Sequence, residues 1–264
     1  MNTTIVTVVK IGGNVLDNPA ALGRFLAGFS ALPGHKLLVH GGGKMATQLA
    51  ATLNVPTTMV EGRRVTDQAM LDVVTMVYGG LINKQLVAKL QALGTNAIGL
   101  TGADAGLVLA TKRPVGTVDY GFVGDIQAVD SGRLQAFMDQ GLVPVFAPLT
   151  LDVATGTLLN TNADTLAQAL AVDLTTHNAV TLGYCFEKKG VLTNPHDDTT
   201  VLARLTPALY AQHRAAGSIS AGMIPKLDNA FAALAAGVGR VIICHADELA
   251  PALVGGAGTV VQRT

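Results

Sequence analysis

Lys10-Ile11-Gly12-Gly13 closes the first apolar run of this 264-residue chain, and Gly222-Met223-Ile224-Pro225-Lys226 stands far downstream. A cation beside exposed backbone N–H groups, twice over, suits a reaction in which negative charge spreads over phosphoryl oxygens in the transition state. A charge at the inner end of a buried strand is seldom placed there for solubility, so Lys10 reads as functional; the bland alternative is a lysine snorkelling from the strand end. Lys226 alone would be an ordinary lysine in the first turn of a helix, and only its pairing with Lys10 gives it weight. Asn160-Thr161-Asn162-Ala163-Asp164 places two amides and a carboxylate ahead of an alanine-rich helix. Asn162 or Asp164 could be merely its cap. In an active site, the Asn160 amide could bind substrate while Asp164 holds two lysines by charge-assisted bonds. Arg64, with Arg63 beside it, could clasp a carboxylate bidentately or be a solvated loop arginine.

The second glycine cluster, Gly41-Gly42-Gly43, follows the short apolar run Leu37-Leu38-Val39-His40. Glycines after a strand let a ligand approach the backbone, and a following helix turns free N–H groups and a positive dipole toward an anion. Both clusters are expected to have this setting, although each could be only a tight strand-to-helix turn. The G-x-x-x-x-G-K-[ST] spacing fails, because Leu38 and Met45 occupy required positions, and no G-x-G-x-x-G follows a strand. A P-loop NTPase and a Rossmann dehydrogenase both lose ground.

The elements that must hold these residues follow from periodicity and punctuation. Val6 to Val9 reads as a buried strand, and Asn18-Pro19 starts a helix with Leu22, Phe25, Leu26 and Phe29 on one face. After the strand ending at His40, Met45, Leu49 and Leu53 recur at helical spacing. Thr66-Asp67 can cap a long helix to about Leu93, with Met70, Val74, Val77 and Leu81 inside. Strands are expected at 97–100, 143–146, 180–184 and 241–244, and helices at 134–138, 163–172, 207–216 and 226–236, with hairpins between Thr101 and Asp130 and an irregular segment from Lys188 to Thr200. Strands alternating with helices imply an α/β fold with a mostly parallel sheet covered on both faces.

Composition narrows the function further. With 49% hydrophobic residues the chain can bury a large core, and its 18 Lys and Arg balance 18 Asp and Glu. No global field favours nucleic acid or an anionic membrane, so any anion site must be local. Cys185 and Cys244 lie in separate apolar runs without metal-like spacing, which fits reduced thiols in the cytoplasm. No apolar segment reaches the roughly 18 residues of a membrane span, and the first residues lack a signal-peptide pattern.

Five motifs occur in order: Lys10-x-Gly12-Gly13, His40-Gly41-Gly42-Gly43, Gly62-Arg63-Arg64-Val65-Thr66, Asn160-x-Asn162-Ala163-Asp164 and Gly222-Met223-Ile224-x-Lys226. In this the chain resembles, from end to end, the acetylglutamate kinases of the amino acid kinase family. The resemblance implies a three-layer αβα sandwich around a mainly parallel open sheet of about eight strands, carbamate kinase-like. It implies an N-terminal lobe, residues 1–175, for an N-acylglutamate and the dimer interface, and a C-terminal lobe, residues 176–264, for ATP. By the same resemblance Lys10 and Lys226 would stabilise charge on the phosphoryl group in flight to the γ-carboxylate of N-acetylglutamate, with Asp164 orienting both. Gly13, Gly42 and Gly43 would offer N–H groups, and Arg64 and Asn160 would hold the substrate. Mg²⁺ would be carried mainly by the nucleotide, with no protein metal site. Gly12, Gly13, Ser218, Ile219, Ser220, Gly222 and Met223 would border ATP. Where the family has a strand ending in Asp-Val-x-Gly, this chain departs with Phe186-Glu187-Lys188-Lys189-Gly190-Val191-Leu192. Glu187 would replace the aspartate, and Lys188 and Lys189 add charge that could meet phosphates or form a solvated turn. No residue decides between an acetyl and a succinyl cap, and a non-catalytic ATP or amino acid sensor of this fold is the alternative from another class. Entry into the first strand by about Ile5, where the arginine-inhibited members look to carry a helical extension, suggests a homodimer without arginine feedback, joined through the 66–93 helix.

Overall fold

A computed structural model describes residues 4–60, 62–194, 196–219 and 223–264; the predicted site residues Ser220 and Gly222 lie outside the described residues. The chain opens with β1 (Thr4–Ile11), whose last six residues are buried, and the single helical turn α1 (Gly13–Leu16). Asn18 then caps α2 (Pro19–Ser30), accepting from the N–H groups of Ala20 and Ala21 at 3.1 Å, with the predicted Leu22, Phe25, Leu26 and Phe29 buried. β2 (His35–His40) leads into α3 (Gly43–Thr52), and a small ladder of β3 (Met59–Val60) and β4 (Arg63–Arg64) precedes the long helical run.

That run is not the single α-helix expected from Thr66 to Leu93. It comprises α4 (Gln68–Val74), a π-helical segment over Thr75–Ile82, and α5 (Asn83–Ala92). Asp67 is the cap, its carboxylate accepting the Met70 N–H at 2.8 Å. The wider i→i+5 turn of the π segment shifts the phase of the apolar stripe. Leu81, expected inside, is therefore 45% exposed, and Ile82 takes the buried place. A second correction concerns α3: its buried residues are Ala46 and Ala50, whereas Leu53 of the predicted stripe is 49% exposed. α3 packs against α4.

The remaining order is β5 (Ala97–Leu100), β6 (Val108–Lys112), β7 (Gly124–Val129), α6 (Ser131–Asp139), β8 (Val143–Phe146), β9 (Leu149–Asp152), β10 (Thr157–Asn160) and α7 (Ala163–Leu174). There follow β11 (Asn178–Phe186), β12 (Arg204–Leu205), α8 (Pro207–Ala215), α9 (Ile224–Ala235), β13 (Arg240–His245), α10 (Leu249–Leu253) and β14 (Thr259–Val261).

Two compact units result, one of residues 1–36 with 167–264, the other of residues 37–166. In the first, β1, β11 and β13 run parallel, β14 is antiparallel to β13, and β12 is parallel to β14. In the second, β2, β8 and β5 run parallel, and the region predicted as hairpins joins a four-stranded sheet ordered β10-β9-β6-β7. The main sheet thus has eight strands, mostly parallel and joined through helices, which is the predicted αβα class. The first 36 residues belong with the C-terminal part because β1 pairs with β11 along its whole length, from Thr4 opposite Asn178 to Ile11 opposite Cys185. Compactness therefore divides the chain differently from the contiguous segments 1–175 and 176–264.

Candidate active site

In the 37–166 unit, strand alternation separates the two arginines: Arg63 faces solvent and Arg64 is buried. The Arg64 Nη2 donates to the Gly43 carbonyl and to Thr47 Oγ1, both at 2.8 Å, while Nη1 makes longer contacts to Thr57 Oγ1 and Met70 Sδ. Its charge is also felt by Tyr78, whose phenol is pushed up by burial and drawn back by Arg64. Thr66 ties this arginine to the predicted amide. Its hydroxyl donates to the Arg64 carbonyl at 3.1 Å and accepts from Asn160 Nδ2 at 2.9 Å. Asn160 is buried at the end of β10, where its N–H donates to the Phe122 carbonyl.

The glycine loop sits against the same cluster. Gly42, at φ +154°, caps α3, and a Cβ built there would lie 2.4 Å from Ile82 Cδ1 and 3.0 Å from the Tyr78 ring. Only glycine fits that position. Gly43 is the first residue of α3, where N–H groups have no intrahelical acceptor. At α7 the open question about capping resolves: Asn162 Oδ1 accepts from the N–H groups of Asp164 at 2.8 Å and Thr165 at 3.0 Å. Asp164 is a buried acidic residue in the first turn.

In the other unit, Lys10 is 7% exposed near the end of β1, opposite Tyr184. The Gly12 N–H donates to the Cys185 carbonyl at 3.0 Å, pinning the end of β1 to the end of β11. The Cys185 thiol is pushed well up by the neighbouring Cys244 thiol, 3.6 Å away, and by burial, and is drawn down by the Lys10 ammonium. Lys10, Gly12 and the turn that follows Phe186 thus gather at the carboxyl ends of adjacent parallel strands, the usual side for ligands in such sheets. The expected setting for the first glycine pair needs correction, however. Gly13 opens only one helical turn, so the dipole there is short; what the position offers is space, since a Cβ at Gly13 would meet nothing within 4 Å.

Of the predicted nucleotide residues, Glu187 and Lys189 are exposed and Lys188 is half-buried. Gly190, Val191 and Leu192 are buried, with the Val191 N–H held by Thr259 Oγ1 at 2.9 Å. Ser218 is half-buried and its hydroxyl donates to the His213 carbonyl at 3.1 Å, closing the end of α8. Ile219 and Met223 are buried, and Lys226 is half-buried in the first turn of α9. A groove of about 530 Å³ lined by Pro207, Tyr210, Asp228, Phe231, Leu234 and Arg263 contains none of the predicted site residues. Sequence reasoning treated Thr66 only as a cap and passed over Thr47 and Tyr78. Thr66 had one usable signal, its place two residues after Arg64 in the same motif.

Comparison with known proteins bears on the whole chain. The profile of the amino acid kinase family matches residues 6–245. An acetylglutamate kinase from Phocaeicola vulgatus is 53% identical over 258 residues, covering 98% of each chain. Among solved structures, a Streptococcus mutans protein superposes with a TM-score of 0.81 at 30% identity, covering 98% of this chain and 99% of its own. A Giardia carbamate kinase, 12% identical with a TM-score of 0.69 and full coverage of both chains, shares the fold.

Proposed function

The chain belongs to the amino acid kinase family, and from that membership we propose its reaction: transfer of the γ-phosphoryl group of ATP to the γ-carboxylate of N-acetyl-L-glutamate. This is the acetylglutamate kinase step of arginine biosynthesis. The observation that carries the reading is the string Gly43–Arg64–Thr66–Asn160: a buried guanidinium held on the Gly43 carbonyl of the glycine loop, with the backbone carbonyl of the same arginine joined through the Thr66 hydroxyl to the Asn160 amide. It supports an anion grip of the kind an α-carboxylate and an acylated amine need.

A carboxylate oxygen attacks the γ-phosphorus as the bond to the bridging oxygen of ADP breaks, giving an acyl phosphate and ADP. The nucleophile is already ionised near neutral pH, so no general base is required. Positioning and charge neutralisation supply the rate. Lys10 and Lys226 are assigned the neutralising role and Asp164 the orienting one; Gly13, Gly42 and Gly43 offer backbone N–H groups. The room at Gly13 near the buried Lys10 suits a phosphate. Gly12, the Glu187–Leu192 turn and the 218–223 segment are assigned to the nucleotide. Mg²⁺ would be carried mainly by the nucleotide rather than by a protein cage, and the chemistry it would supply is neutralisation of phosphate charge. We assign the amino acid to the 1–175 segment and ATP to 176–264. No helix among the described residues is long and apolar enough to cross a membrane. Two free cysteines 3.6 Å apart support a reducing, cytoplasmic setting. Exposed Met76 and Leu81 on the long helical run support a homodimer joined there.

Hydroxylamine trapping tests the reaction. Incubated with ATP, Mg²⁺ and N-acetylglutamate, the protein should yield a hydroxamate and one ADP per acyl phosphate. N-succinylglutamate in a parallel arm reads the cap preference. ATP binding without ADP release in either arm would leave a sensor and overturn the kinase.

A further inference from the structure

His40 ends β2 with no exposed surface, one residue before the glycine loop, and the reaction above gives it no task. Its Nδ1 lies 2.7 Å from the Gly41 carbonyl oxygen. A carbonyl can only accept, so the ring proton resides on Nδ1 and Nε2 presents a lone pair. Asn83 matches that lone pair with Nδ2 at 3.3 Å and sends its second amide proton to the Val145 carbonyl at 2.8 Å. Lys84 Nζ donates to Asn83 Oδ1 at 3.3 Å and to the Gly99 carbonyl at 3.2 Å. Gly99 is required for this arrangement, because a Cβ there would sit 1.9 Å from Asn83 Oδ1. The acceptors thus permit one consistent placement of the protons. Burial supports it by lowering the imidazole pKa to about 4, which keeps the ring neutral at physiological pH.

We propose that His40 and Asn83 are positioning residues for phosphoryl transfer: His40 Nδ1–H holds the Gly41 carbonyl inward, so that the Gly42 N–H on the same peptide faces the transferring group. The stereochemistry follows from planarity, since C=O and N–H point oppositely across a trans peptide, and none of the described peptides is cis. A Cβ at Gly42 would collide with Ile82 and Tyr78, so the absence of a side chain is what lets the loop lie this close to them. Both come from the π segment that also delivers Asn83 to the ring. The inference rests on the proposed phosphoryl transfer for the use of the N–H group, but not for the geometry.

The test compares two isosteric replacements. Asparagine places its amide nitrogen where Nδ1 was and can still donate to the Gly41 carbonyl; glutamine reaches instead toward the Nε2 position. His40→Gln should lower kcat about 10²-fold, with KM for both substrates within about threefold, the signature of a donor that matters only in the transition state. His40→Asn should recover at least about tenfold of that loss. In the wild type, ¹⁵N shifts of the His40 ring should show the Nδ1–H tautomer, and Asn83→Asp should shift it. A folded His40→Gln enzyme with unchanged kcat, or an Nε2–H tautomer in the wild type, overturns the proposal. The NMR arm answers even if His40→Gln fails to fold. Absence of acyl phosphate from the wild type, with the tautomer as stated, would overturn the kinase reading and with it the catalytic use of this geometry, while leaving the geometry itself in place.

Discussion

Gly13 and Gly42 share a place in the predicted chemistry but differ in why they are glycine. Gly42 has a positive φ and is hemmed in by Ile82 and Tyr78, whereas an alanine methyl at Gly13 would point into open space. Gly42→Ala should therefore destabilise the fold by about 1–3 kcal/mol. Gly13→Ala should leave stability within about 0.5 kcal/mol and yet lower kcat/KM for ATP by crowding a phosphate. Thermal melts read beside the kinase assay separate the two; a fully active Gly13→Ala would mean that no phosphate sits there. The lysines make a plainer prediction. Lys10→Ala and Lys226→Ala should each cost about 10²-fold or more in kcat, the usual loss when one preorganised transition-state donor is removed. Near-wild-type turnover in either variant would rule out the charge-neutralising role.

At the scale of elements, the π segment deserves the most weight. Its extra residue per turn puts Tyr78 and Ile82 beneath Gly42, carries Asn83 into the core and turns Met76 and Leu81 outward, 50% and 45% exposed. One irregularity thus shapes both the glycine loop and a candidate contact surface. If the homodimer forms through this helical run, Leu81→Glu should shift the sedimentation coefficient toward that of a monomer at micromolar concentration, since an uncompensated charge in an apolar contact is costly. An unchanged dimer would move the interface elsewhere. The same element explains why periodicity misjudged Leu81. A 3.6-residue period was extended through a stretch whose hydrogen bonds run i→i+5, and that choice depends on packing partners outside the segment.

For the molecule as a whole, acid stability carries a defined signature. The folded pKa of His40 is depressed from 6.5 to about 4, so as pH falls the unfolded chain takes up this proton first. The contribution is fully present above about 6.5 and is lost between there and about 4; by linkage it amounts to about 3 kcal/mol. Denaturant unfolding at a series of pH values should show wild-type stability falling more steeply over this window than that of His40→Asn, which has no titrating ring. Parallel slopes would mean the imidazole is not held neutral. Large-scale connectivity matters too: the unit holding Lys10 is completed only when β11 pairs with β1, so the first 36 residues depend on the last hundred for their fold.

The sequence by itself was enough for the α/β class with a mostly parallel sheet and for most strands and helices, because burial periodicity and turn chemistry are local; charged residues at strand ends, which stand out against an apolar background, supplied the candidate site residues. Even so, two- and three-residue strands such as β3, β4, β12 and β14 were invisible, being too short to show a period. Which arginine turns inward was decided by the pairing of β4 with β3, and Asn162 rather than Asp164 became the cap through the geometry of the chain entering α7. The Thr66 bridge joins Arg64 to a residue 94 positions distant from Thr66, and the His40–Asn83 pair spans 43. Hydrogen bonds between such distant positions depend on where whole strands and helices come to rest, which only the folded chain decides.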